Sequence, residues 1–144
     1  MQGVAAADLL LFPVRMHGIR LGRPVDLLLD RDGLRVLGFD VLSRDELHRF
    51  LPLAAAELES DEIVVRSPLL LLDERELAFY RTQGQTLRGL RGARVEQDGE
   101  PVGLLRDVAV GAGGLVTELL VETGDSRRWA PSAGLRLVAR VPAR

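Results

Sequence analysis

One order of motifs occurs twice in this chain, which requires a fold made of two related units. The first copy reads Arg23-Pro24-Val25, Leu27 to Asp30, a turn at Asp32-Gly33, an apolar run to Leu42, a turn at Ser43 to Glu46, and Arg49-Phe50-Leu51-Pro52. The second reads Glu100-Pro101-Val102, Leu104 to Val108, a turn ending at Gly113-Gly114, an apolar run to Val121, a turn at Thr123 to Ser126, and Arg128-Trp129-Ala130-Pro131. Pro24 and Pro52 lie 28 residues apart, and Pro101 and Pro131 lie 30 apart. This alignment places Phe50 and Trp129 at equivalent core positions. A further β-type run follows each block, at Glu62 to Val65 and at Leu135 to Val138, and the first copy carries an insert before it.

Most of the chain consists of short Val- and Leu-rich runs broken by Asp-Gly or Gly-rich turns, the pattern of a barrel or sandwich. Only the stretch from Asp73 to Gln83 reads clearly as a helix. Asp73 is positioned to cap it, Glu76 stands three residues on, and Gly84 is placed to end it in a left-handed conformation. Leu77 and Tyr80, at i and i+3, are expected to face the protein together. Leu51 to Glu59 fits either a helical turn or a strand that loops outward. Trp129, the only tryptophan, is expected to be substantially buried.

Gly92-Ala-Arg-Val95, Asp98-Gly99-Glu-Pro-Val-Gly103, Arg106-Asp107-Val108 and Gly114 to Val121 together resemble the PRC-barrel family. The first copy is similar in Pro24-Val25, Leu27 to Asp30, Gly33 and Arg49 to Pro52, although Val25 is followed by Asp26 where the second copy has Gly103. That family's small β-barrel occurs in the H subunit of the photosynthetic reaction centre and in a ribosome maturation factor. The expected fold is therefore all-β with one short linking helix: two tandem PRC-barrel-like small barrels related by a pseudo-twofold axis. Residues 1–70 form the first unit, 71–86 the linking helix and 87–144 the second unit.

The chain has no cysteine, which excludes disulfides, thiolate metal sites and a cysteine nucleophile, and which fits a cytoplasmic location. Its 19 basic residues are all arginine, and the net charge is −2. Nucleic acid is disfavoured as a partner, because no basic excess is available to neutralise phosphates. The apolar run from Leu9 to Phe12 is too short for a signal segment or a membrane span.

No catalytic, cofactor-binding or metal site is expected. His17 and His48 have no second ligand at metal spacing. Asp30-Arg-Asp32-Gly33 opens like a calcium loop, yet Val41 occupies the position that requires a glutamate. Gly111 to Gly114 lacks the Lys-Ser/Thr that completes a phosphate cradle. None of Ser43, Ser60, Ser67, Ser126 and Ser132 sits in a nucleophile elbow. The acids at 57, 59, 61 and 62 and at 73, 74 and 76 read as solvated faces, and the arginines at 88, 91 and 94 are followed at once by acids at 96, 98 and 100.

The resemblance implies a non-enzymatic module that docks onto another protein or a large assembly. The alternative it leaves open is a ribosome- or RNA-associated maturation factor, ahead of a small-molecule sensor or enzyme. An apolar share of 47% is generous for units this small. The surplus is expected between the barrels first, and then in a symmetric homodimer or against a partner.

Overall fold

The computed structural model describes residues 3–138. The first copy of the repeat runs through β1 (Val4–Ala5), α1 (Ala6–Leu9), β2 (Val14–Met16), β3 (Ile19–Leu29), β4 (Val36–Ser43), β5 (His48–Pro52), β6 (Ala56–Leu58) and β7 (Ile63–Val65). Helix α2 (Glu74–Gln83) follows. The second copy runs through β8 (Gln85–Thr86), α3 (Leu87–Leu90), β9 (Arg94–Gln97), β10 (Glu100–Val110), β11 (Val116–Thr123), β12 (Ser126–Pro131) and β13 (Leu135–Val138). The fold is all-β, with two curled, barrel-like sheets and three short helices. The one-turn helices α1 and α3 were not expected. None of the described helices is long and apolar enough to cross a membrane.

Strand register defines the equivalences between copies. Asp26 pairs with Asp40, and Asp40 with Phe50; in the second copy Asp107 pairs with Leu120, and Leu120 with Trp129. Gly38 faces Pro52 as Glu118 faces Pro131. Phe50 therefore corresponds to Trp129 and Pro52 to Pro131, as the motif spacing required. The two Pro-Val dipeptides do not correspond. Pro24 pairs with Val41 and Leu105 with Val121, so the equivalent of Pro24 is Leu105, and the following bulge falls at Val25 in one copy and Arg106 in the other. Glycine fixes this alignment. A Cβ on Gly22 would run into the Leu42 carbonyl and the Val41 side chain, and one on Gly103 would run into the Glu122 carbonyl and the Val121 side chain. The partner of Gly103 is thus Gly22, and Asp26 matches Asp107.

The two units exchange their first strands. β1 opens the first copy but pairs with β10 of the second sheet (Val4 with Val110, Ala5 with Ala109). β8 opens the second copy but pairs with β3 of the first sheet (Leu28 with Thr86, Leu29 with Gln85). The helical turn after each strand is held by a buried aspartate of the other copy. The Arg88 N–H donates to Asp26 Oδ1 at 3.1 Å, and the Ala7 N–H donates to Asp107 Oδ2 at 3.2 Å. The second sheet thus takes in β1 from the segment 1–70, and the first takes in β8 from the segment 71–86. Arg35 and Leu115, which are mutual equivalents, form an isolated bridge between the copies.

The hydrophobic interior follows from this exchange. Ala6, Leu9, Leu29, Val36 and Phe39 of the first copy and Leu87, Leu90, Val95, Val108 and Leu119 of the second belong to one continuous cluster. Apolar side chains of the two copies are thus buried in one shared interior.

Burial raises the pKa of Asp26 and of Asp107 above the ordinary 3.8, and the N–H bonds they accept offset only part of that effect. A carboxyl whose pKa is raised by folding favours the folded state when protonated. That stabilisation is complete below the ordinary value and is lost as pH rises through the raised one. Stability of an Asp26→Asn, Asp107→Asn double variant is expected to fall less than that of the parent as pH rises from about 4 toward neutrality. Urea melts across that range measure it, and parallel curves for the two proteins would count against the assignment.

The copies differ after their aromatic strands. A 3₁₀ turn at Leu53–Ala55 and then β6 occupy the ambiguous segment, so both readings of it hold in part. The β6–β7 hairpin adds a reversal of direction. β7 consequently runs parallel to β2, whereas β13 runs antiparallel to β9, the equivalent of β2.

Candidate docking face

Directly paired residues in a sheet share a face, and alternate residues along a strand share it too. On the outer face of the first sheet, one row contains Asp26, Asp40 and Phe50, and the next contains Leu28, Gly38 and Pro52. Helix α2 lies on this face. Its start is capped as the sequence required, with Asp73 Oδ1 accepting from the Arg75 and Glu76 N–H groups. Its end differs from expectation. Gly84 is extended (φ −122°) rather than left-handed, and glycine is needed because a Cβ would strike the Leu29 carbonyl as the chain enters β8.

Leu77 and Tyr80 face inward together. Tyr80 stacks on Phe50 with ring centroids 4.2 Å apart, and Leu77, Leu28 and Phe50 form a second, separate buried cluster. An ionic clamp holds the helix beside them. The buried Asp40 carboxylate accepts from Arg81 Nη2 at 2.6 Å through Oδ2, and its Oδ1 lies 2.8 Å from His48 Nδ1. Under this cover Phe50 is 1% exposed.

The same face of the second sheet is built differently. Its rows are Leu104 and Glu122 with Arg127; Asp107 and Leu120 with Trp129; and Ala109 and Glu118 with Pro131. Leu120 replaces the charged Asp40, so this sheet has no carboxylate at the position where Asp40 holds Arg81. Among the described residues no helix packs on β12 as α2 packs on β5. Trp129 and Leu120 are consequently only half-buried and belong to neither hydrophobic cluster, and Leu104 is 40% exposed. Trp129, expected to be substantially buried, keeps part of its surface exposed: its position in the sheet matches that of Phe50, but among the described residues the helix layer over Phe50 has no counterpart. Above the apolar pair, Glu122 is paired by both Arg106 and Arg127, and the Arg106 bond holds its carboxyl below the ordinary range. Among the described residues, Glu118 has no ion-pair partner.

The residues weighed for chemistry are scattered. His17 is a turn residue with φ 49°, beside Gly18. Asp30 Oδ1 accepts from the N–H groups of Leu34 and Arg35 and so closes its own turn. Gly111 leads into a 3₁₀ turn at Ala112–Gly114 between β10 and β11. Ser67 caps the 3₁₀ turn at Pro68–Leu70, and Ser132 Oγ donates to the Val116 carbonyl. Glu57 pairs with Arg66 and Glu62 with Arg15. Among the described residues no group of three potential metal ligands comes together. The constellation missed from sequence is Asp40, His48 and Arg81. Asp40 and His48 share a sheet face at alternating positions, which a period-two reading of β4 and β5 can find, but nothing local brings Arg81 to them.

An apolar cleft of about 580 Å³ lies where the turns of the two copies meet, lined by Arg35, Val36, Leu53, Leu58, Val110 and Gly114. Its one charged group, Arg35, already donates to the Gly113 carbonyl at 3.1 Å.

The chain matches no protein-family model, and no curated protein is significantly similar to it.

Proposed function

We propose that this protein is a non-enzymatic interaction module of PRC-barrel type that docks onto another protein through the Leu104, Leu120 and Trp129 face of its second barrel, within the cytoplasm. One observation carries the reading: equivalent faces of two copies in one chain are finished differently, one sealed by α2 and one with no helix over its Leu104, Leu120 and Trp129 among the described residues. A half-buried Trp beside Leu, rimmed by charged residues, has the composition of an interface centre, where a few aromatic anchors supply most of the binding energy. The net charge of −2 and the absence of a basic stripe favour protein over nucleic acid.

The test compares co-purification from cell extract by the native chain and by Leu120→Glu, with and without nuclease. Leu120 is half-buried on the outer face beside Asp107, and thermal melts check that the variant keeps the native fold. The expected result is one protein retained by the native chain after nuclease treatment and lost by the variant. Equal retention by both proteins would remove this face from the account. Release by nuclease would favour the RNA-associated reading instead.

A further inference from the structure

We infer that the occupant of the Trp129 face is an amphipathic α-helix of a partner protein, laid across β11 and β12 as α2 is laid across the equivalent strands. The inference rests on the docking reading above and adds the structural class of the ligand. It is argued from the chain's own symmetry, because the first copy displays what a helix on this sheet looks like.

Three positions of α2 meet the sheet. Leu77, Tyr80 and Arg81 stand at i, i+3 and i+4, one stripe of a helix. The first two pack on Phe50 and Leu28, and the third reaches Asp40. On the second sheet the equivalents of Phe50, Leu28 and Asp40 are Trp129, Ala109 and Leu120. Position i+4 of the occupant therefore meets Leu120 instead of a carboxylate, and an apolar residue belongs there. A cation placed over Leu120 would lose hydration without gaining a partner. Ala109 is smaller than Leu28 and is already fully buried among its neighbours, so the side chain at i rests against Trp129 rather than on Ala109. Glu118, which has no ion pair among the described residues, stands where the first copy has Gly38 and favours a basic residue on the rim of the incoming helix.

This specificity separates the open face from the covered one. α2 itself, with Arg81, suits the first sheet and mismatches the second. A partner helix with three apolar anchors suits the second sheet and would strand Asp40 on the first.

The test uses stapled helical peptides of residues 70–84, because a helix of this length is marginal when free in water. Emission of Trp129 in the full-length protein, where it is the sole tryptophan, reports binding. The peptides contain none. The Arg81→Leu peptide is expected to give a saturable blue shift, while the unmodified peptide binds roughly tenfold more weakly or worse, the loss typical at a hot-spot position. Leu77→Ser and Tyr80→Ser in the Arg81→Leu background are expected to abolish the shift. In the Leu120→Glu protein the preference is expected to reverse toward the peptide that retains Arg81. No shift with the Arg81→Leu peptide, or no difference between the two peptides, overturns the helix inference. If co-purification through Leu120 nevertheless succeeds, docking stands and the ligand is not a helix. A blue shift that grows with protein concentration and no peptide identifies a second copy as the occupant and also overturns it.

Discussion

Phe50→Ala is expected to cost about 3–5 kcal/mol, the range for truncating a buried aromatic, because the ring is enclosed between the sheet and α2. Trp129→Ala, at the equivalent position, is expected to cost about 2 kcal/mol, since a half-buried ring forfeits less burial and leaves no closed cavity. Chemical denaturation of the two variants reads the difference. Two aromatics related by the repeat thus separate by about twofold in the stability they contribute, and the tryptophan, although larger, costs less to remove. A Trp129→Ala loss matching that of Phe50→Ala would mean that the second face is sealed in the folded chain.

Deletion of residues 1–9 is expected to unfold the whole protein, including the first sheet, to which these residues contribute no strand. The deletion strips β1 from the edge of β10, removes Ala6 and Leu9 from the shared core, and takes away the Ala7 N–H that Asp107 accepts. A single Leu9→Ala change is expected to cost about 2–5 kcal/mol, against a total of roughly 5–15 for a domain of this kind. The native chain is expected to melt in one transition, with Trp129 fluorescence and far-ultraviolet circular dichroism coinciding. Two separated transitions, or a first sheet that survives the deletion, would show that the barrels are independent.

The repeat was legible where its residues make the same contacts in both copies. Arg-aromatic-x-Pro closes both blocks because β5 and β12 carry Phe50 with Pro52, and Trp129 with Pro131, in the same register. The Pro-Val dipeptides misled because a shared dipeptide carries no information about register. The pairs that do correspond are Gly22 with Gly103 and Asp26 with Asp107, an offset of 81 residues. The same offset joins Gly3 to Gly84, where each copy begins, and Leu9 to Leu90, which are buried in the shared core.

What stayed hidden was non-local. A four-residue helix shows no periodicity, so α1 and α3 left no trace. The exchange of β1 and β8 depends on which strand edges meet after both sheets have formed. The incomplete burial of Trp129 was also beyond local reading: it depends on a helix that follows the first copy, and on Leu120 occupying the position where Asp40 binds Arg81 in that copy.

The most direct test of the account is acrylamide quenching of Trp129 in the isolated native protein over a dilution series. The account predicts a quenching constant between those of a buried and a fully hydrated tryptophan, unchanged by protein concentration and lowered when the Arg81→Leu helix is added. A Trp129 that is shielded from acrylamide in the free monomer would contradict it, because the face on which docking depends would already be occupied.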